Sequence, residues 1–331
     1  MRGEIAEVRY SIVVAIYNDA YLAPAFCEEV REVMSSYLGS PSLRSDLELI
    51  FVNDGSRDGS IGTLLELRQT LDFVRVIDLS RNFGQHQAIA CGLREACGEI
   101  VLRMNVDMQD PPSEIPKLLD SMAAKHCDLV VGKYRIRKSS LADRITAASY
   151  VFLFRLLTGF DAPQNTSPLR AMSRRFVDAY NALTEKSRFP QGLDQWLGFR
   201  HVYIEVEHRE RADGRSSYTF WSRLRLAVNG ILYFSDRPLQ LVASTGFVAA
   251  ALGVLLACYI ATEKILGIDY LPGYASLASI ALIAFGLQLG SIGLLGMYVG
   301  KIFNEVQNRP LYIVANKFDQ LDVPKIDGAG K

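Results

Sequence analysis

Four short polar clusters carry the residue types in this chain that can do chemistry, and each directly follows an apolar run. They are Tyr17-Asn18-Asp19, Asp54-Gly55-Ser56, Ser80-Arg81-Asn82-Phe83-Gly84 and Asp107-Met108-Gln109-Asp110. A carboxylate in such a place can accept hydrogen bonds from a base or a ribose, and an arginine can stack on or pair with a base. An acidic pair can hold a divalent ion, which neutralises a diphosphate leaving group. Any one cluster alone reads equally as turn chemistry, because Asn, Asp, Gly and Ser are ordinary turn formers. Four in series are harder to read that way. Asp110, before Pro111-Pro112, is expected to cap the next helix. A basic cluster, Lys133-Tyr134-Arg135-Ile136-Arg137-Lys138 with Arg144 beyond it, has the guanidinium groups that bind phosphate side-on.

The elements that must position these clusters alternate regularly. The runs YSIVVAI at 10–16, LELIFVN at 47–53, VRVIDL at 74–79, EIVLRMN at 99–105 and CDLVVGK at 127–133 read as strands buried on both faces. Segments between them, such as YLAPAFCEEVREVMSSYL and SEIPKLLDSMAAK, have helical apolar spacing. This β-α-β-α order predicts a mostly parallel, helix-covered α/β sheet whose ligands bind beyond the carboxyl ends of the strands. All four polar clusters then project from that one edge.

Composition changes near residue 238. About 25 uncharged residues separate Arg237 from Glu263, and about 31 separate Asp269 from Lys301. Each stretch exceeds the ~20 residues needed to cross a bilayer core. Arg223, Arg225 and Arg237 precede the first stretch and Lys301, Arg309 and Lys317 follow the second, so the positive-inside rule predicts a hairpin with both termini cytoplasmic. The small residues Gly286, Gly290, Gly293 and Gly296 suit close helix packing, within the hairpin or between protomers of a homo-oligomer. TFWSRLRLAVNGILYF reads as an interfacial amphipathic helix that meets membrane lipids. The expected organisation is a catalytic domain over 1–220, the interfacial helix over 221–237, a transmembrane hairpin over 238–301 and a cytoplasmic tail over 302–331. Formal net charge is zero, which excludes nucleic-acid recruitment by field alone. Five scattered cysteines with no zinc spacing read as free thiols, and the N-terminus does not read as a signal peptide.

The series SIVVAIYND, FVNDGSRDGS, LSRNFGQHQAIACGL, MNVDMQDPPSEIP, PLRAMSRRF and HRERADGRSSYTF, followed by two spans, resembles the family-two nucleotide-sugar glycosyltransferases of the polyprenyl-phosphate branch. The resemblance covers nearly the whole chain. It is nearer to bacterial undecaprenyl-phosphate sugar transferases of the aminoarabinose type than to dolichol-phosphate mannose synthases. It implies a GT-A fold with Tyr17, Asp19, Asp54 and Arg81 around the base and ribose, and with Asp107 and Gln109 at a divalent metal, Mg2+ or Mn2+. Asn105 stands where the first acid of the family's DADLQ pattern is common, and is expected to position a water or a ribose hydroxyl. Asn53 likewise replaces a common Asp. Arg135 and Arg144, with Lys133 in support, are implied at the acceptor phosphate. Arg211 and Ser216 are implied at the donor diphosphate, with Ser217 where a Lys is common.

The resemblance therefore implies an inverting transfer of a sugar from a nucleoside-diphosphate sugar, by preference a UDP-sugar, to polyprenyl phosphate. Such a reaction would serve cell-envelope glycan or lipid modification at the bacterial inner membrane, with Asp107 and Arg211 as the catalytic residues. His86 reads as a polar packing residue. Asp194 is not needed as a base, because a phosphate acceptor is already ionised at neutral pH. Two alternatives stand beside this reading: a same-fold glycosyltransferase with another acceptor, or a non-catalytic membrane scaffold that retains the fold.

Overall fold

The computed structural model describes residues 8–134, 155–157, 165–186, 190–209, 235–266 and 273–318, with 152 and 159. These fall into two units, one built on a sheet and one on two long helices.

The sheet unit contains β1 (Tyr10–Ile16), β2 (Leu47–Asn53), β3 (Val74–Leu79), β4 (Ile100–Met104), β5 (Leu129–Tyr134), β6 (Thr166–Ser173), β7 (His201–Val206) and β8 (Val314–Phe318). Its helices are α1 (Ala23–Leu38), α2 (Ser60–Thr70), α3 (Gln85–Glu95), α4 (Ile115–Lys125), α5 (Arg174–Ala182) and α6 (Pro190–Trp196). The strand order is β7-β5-β6-β4-β1-β2-β3-β8. β4, β1, β2 and β3 are mutually parallel, whereas β6 runs antiparallel to both β4 and β5, and β8 runs antiparallel to β3.

The alternation of each strand divides two apolar layers. Ile12, Val14, Phe51, Val76 and Met104 pack with Phe26 and Met34 of α1 and Leu118 of α4. On the other face α3 lies so near that a Cβ on Gly92 would sit 2.3 Å from Val13 Cγ1 and 3.2 Å from Val52 Cγ2. Glycine there lets the helix seat on the sheet. Truncating a fully buried anchor such as Phe26 or Phe51 would cost about 3–5 kcal/mol.

Within 302–331, expected to be a cytoplasmic tail, Val314–Phe318 form an eighth strand, β8. β8 pairs with β3 from Val76↔Phe318 to Leu79↔Val314, and the Ser80 amide donates to the Ile313 carbonyl oxygen at 3.0 Å. An ion pair of 2.7 Å from Lys317 to Glu95 adds to this edge. Asp110 also departs from expectation. It makes no helix cap, and its buried carboxylate accepts a hydrogen bond from Ser167 Oγ on β6 at 2.7 Å.

The second unit holds α7 (Arg237–Ile265) and α8 (Tyr274–Val306). Both are long and apolar enough to cross a membrane, over Arg237–Leu256 and Ile283–Val306. The Tyr298 hydroxyl donates to the Ser235 carbonyl oxygen at 2.7 Å within this unit.

Candidate active site at the carboxyl edge of the sheet

The loops after β1, β2 and β3 are tied together by side chains that serve backbone groups. Asn18, in the left-handed region at φ 58°, accepts at its side-chain oxygen from the Arg57 amide (3.0 Å), while its own amide donates to Ser56 Oγ (3.0 Å). Asp19 Oδ1 accepts from the Tyr17 amide at 2.8 Å, fixing the turn that leaves the Tyr17 ring exposed. Asn53 donates to Asp78 Oδ1 at 2.7 Å and accepts from the Ser56 amide at 3.3 Å. An aspartate at 53 would set two carboxylates face to face, so Asn53 suits its neighbour.

Asp54 is buried, and its two oxygens accept from the amides of Phe83 (2.7 Å) and Gly84 (2.9 Å). Its pKa is raised by burial, against the two amides, which favour the charged form. At Gly55 (φ +64°) a Cβ would lie 2.3 Å from the Arg81 carbonyl carbon, so only glycine lets the two loops meet. The result is a cleft of about 360 Å³ lined by Gly55, Ser56, Asp78, Ser80, Arg81 and Asn82. The Arg81 guanidinium lies over the Phe83 ring, 4.8 Å from its centre.

Across the edge, Asn105 accepts from Gln85 Nε2 at 3.0 Å, which anchors the β4 loop to the start of α3. Met108 takes φ 58°, and the Gln109 amide donates to Asp107 Oδ1 at 3.3 Å. Asp19 has a raised pKa, first through burial and then, against the Tyr17 amide, through the charges of Asp107 and Asp58. The negative charges of Asp107 and Asp58 on Asp19 make this an environment suited to a cation. The Asp107 carboxylate and the Gln109 side-chain carbonyl are hard oxygen donors, and magnesium-type ions take one or two carboxylates together with substrate phosphates. Among the described residues no group of three or more His, Cys, Asp or Glu side chains is placed to hold a metal ion by itself.

Beside this loop the segment after β7 is pinned twice. The Arg209 amide donates to the Gln109 carbonyl oxygen at 3.0 Å, and the Arg209 guanidinium grips Glu29 through contacts of 3.1 and 3.2 Å. Tyr134 packs against His208 with ring centres 4.3 Å apart and planes tilted by 50°, and its phenol is pushed up by burial and the Asp110 charge. Lys133 lies within β5, opposite Thr166. Asp194 is already engaged, since Arg170 holds it in a buried ion pair at 2.9 Å. Arg135, Arg144, Arg211 and Ser216 lie outside the described residues.

The structure thus brings Tyr17, Asp19, Asp54, Arg81, Asn105, Asp107 and Gln109 to one edge of the sheet. Sequence reasoning named Asn18 only within the Tyr17-Asn18-Asp19 cluster and did not single out Glu29 or Arg209, whose contacts join residues distant in sequence.

Residues 11–180 match the model of glycosyl transferase family 2. An uncharacterized glycosyltransferase of Bacillus subtilis, YkcC, is 32% identical over 311 residues, covering 94% of each chain. The SfII prophage-derived bactoprenol glucosyl transferase of Shigella flexneri is 31% identical over 312 residues, covering 93% of this chain and 97% of its own. Among solved structures, the mannosyltransferase PcManGT of Pyrobaculum calidifontis, in complex with GDP-Man and Mn2+, covers 92% of this chain and 88% of its own, at 17% identity and a TM-score of 0.48. Over this match to the sheet unit and these full-length likenesses, the chain belongs to glycosyl transferase family 2.

Proposed function

We propose that this glycosyltransferase moves a sugar from a nucleoside-diphosphate sugar, a UDP-sugar by preference, to undecaprenyl or a related polyprenyl phosphate at the cytoplasmic face of a bacterial inner membrane. The observation that carries the reading is the likeness to bactoprenol glucosyl transferases over 93% of the chain, through both long apolar helices. A lipid acceptor accounts for a catalytic domain joined to a membrane hairpin. The exposed Tyr17 ring, the Arg81 side chain and the cleft between the β2 and β3 loops support binding of a base and ribose.

In this reading Asp107 and Gln109 hold a divalent ion, which supplies charge neutralisation to the departing diphosphate. Arg211 and Ser216 serve the same diphosphate, and Arg135 and Arg144, with Lys133, hold the acceptor phosphate. That phosphate oxygen attacks the anomeric carbon in line, and a single displacement inverts the centre. Rate comes from positioning and charge stabilisation. No general base is required, consistent with Asp194 being committed to Arg170.

Membranes containing the protein should transfer label from one of a panel of radiolabelled nucleotide-sugars to added undecaprenyl phosphate, recovered in the extracted lipid. Label that stays water-soluble with every donor, or reaches only protein or polysaccharide, sinks the reading.

A further inference from the structure

The cleft between the loops after β2 and β3 has a single carboxylate among the residues that line it, Asp78 near the end of β3. Parallel register sets Asp78 beside Asn53 of β2. Asn53 is buried and its amide is fixed in orientation: Oδ1 accepts from the Ser56 amide at 3.3 Å, so Nδ2 faces Asp78 and donates to its Oδ1 at 2.7 Å. One oxygen of Asp78 is thereby committed. The other, Oδ2, has no hydrogen bond or ion pair among the described residues, and Asp78 is half-buried on the cleft wall. Asp54 stands differently. It is 2% exposed, gives both oxygens to the Phe83 and Gly84 amides, and is not among the residues that line the cleft.

At about 360 Å³ the cleft is roomy enough for a pyrimidine or purine base. Bases differ in the hydrogen-bonding groups along their pairing edge. Uracil presents N3–H, one donor between two carbonyl oxygens. Cytosine has a bare nitrogen at that place, which an ionised carboxylate repels because it can only accept. Guanine presents two adjacent donors, N1–H and the 2-amino group, which suit a carboxylate with both oxygens open. With one oxygen held by Asn53, Asp78 offers one acceptor, and uracil is the match. Ser56 adds to this match from the same cleft wall. Its Oγ accepts from the Asn18 amide at 3.0 Å, which leaves the hydroxyl hydrogen to donate to a base carbonyl.

We propose that Asp78, oriented by Asn53, reads the base of the donor by accepting the N3–H of uracil on Oδ2. The inference rests on the donor half of the function proposed above and names the residue that selects a uridine nucleotide. Asn53 acts through Asp78 and is a positioning residue.

The test titrates the full chain in detergent with UDP, CDP and GDP, each with Mn2+, by calorimetry. Diphosphate and metal are the same in all three, so affinity ratios report the base alone. The wild type should bind UDP roughly tenfold or more tightly than CDP, GDP or UDP methylated at N3, which lacks the donor. Asp78→Asn should reverse the reading. Asn53 still requires an oxygen on the inner side, so the new amide turns its nitrogen outward, a donor that opposes uracil N3–H and suits the bare N3 of cytosine. The UDP-to-CDP affinity ratio should fall by roughly ten- to hundredfold, with the melting temperature near wild type. A packing defect alone would weaken both nucleotides alike.

An unchanged ratio in a folded Asp78→Asn protein overturns the proposal. So does a wild type that prefers CDP or GDP, or that binds N3-methylated UDP as well as UDP. These last measurements need no variant and decide the matter if Asp78→Asn does not fold. Failure of the wild type to bind any of the nucleotides defeats the donor reading itself, and the inference falls with it.

Discussion

Asp54 at the end of β2 and Gly84 beyond β3 are joined by a hydrogen bond of 2.9 Å from the Gly84 amide to Asp54 Oδ2, and the other carboxylate oxygen takes the Phe83 amide. Asp54 therefore sets the shape of the loop that carries Arg81. Asp54→Asn leaves one acceptor oxygen where two are used and turns a donor toward an amide. Loss of a charge-assisted bond costs about 1.5–3 kcal/mol. Nucleotide affinity should fall roughly tenfold or more by calorimetry, with Asp54→Ala worse. An Asp54→Asn protein with unchanged affinity and melting temperature would show that the loop holds its form unaided.

Asp19 gives a pH signature. Its pKa is raised above the ordinary aspartate value, so the folded protein binds this proton more tightly than the unfolded chain does. The contribution to stability is complete below the unfolded pKa and is lost as pH rises through the raised folded value. In metal-free buffer, Asp19→Asn should therefore gain melting temperature relative to the wild type as pH goes from about 4 to 7. Adding Mn2+ should narrow that gap at pH 7, because a cation beside Asp107 offsets the repulsion that Asp19 feels. A gap that stays constant with pH contradicts the raised pKa.

Asp107→Asn removes charge from the donor set while keeping size and the capacity to accept from the Gln109 amide, now bonded at 3.3 Å. Turnover that depends on divalent metal should drop by about a hundredfold or more, equivalent to about 2.8 kcal/mol or more of transition-state stabilisation. Melting and membrane association should remain near wild type. Full metal-dependent turnover in this variant would move the metal to other residues.

How far the sequence reached depended on how local each signal was. The runs at 10–16, 47–53 and 74–79 match β1, β2 and β3 residue for residue, because strands covered on both faces are continuous apolar stretches bounded by turn residues. β6 was hidden by Pro168 and Arg170 inside TSPLRAMS. Its pairing with β5 shifts register between Val131 and Lys133, and such irregularities are where a strand tolerates a residue without an amide hydrogen. β8, VANKF, is largely exposed and owes its place to backbone bonds with β3, which composition does not encode. At the site, residue types and order were legible. The pairings that shape it, such as Asn18 with Ser56 or Arg209 with Gln109, join residues distant in sequence and were not.

The pairing of β8 with β3 yields the last prediction. The Ser80 amide, on the wall of the cleft, donates to Ile313, and the register shift between Asp78 and Leu79 falls where β3 hands over to the Arg81 loop. Irregularities of this kind re-aim nearby side chains. Ending the chain after Asn308 would bare the β3 edge and remove both the Ser80 contact and the Lys317–Glu95 ion pair. Each lost backbone bond is worth about 0.5–1.5 kcal/mol, so the truncated protein should melt several degrees lower and bind nucleotide roughly tenfold more weakly. Lys317→Glu separates the strand from the charge pair. The pair is partly exposed and worth at most about 1 kcal/mol, so this variant should lose little stability and keep its nucleotide affinity. Calorimetric titration of all three proteins with UDP checks both expectations. Wild-type affinity in the truncated chain would mean that β8 merely covers an edge, whereas weakened binding in Lys317→Glu alone would trace the effect to charge near α3 rather than to the strand.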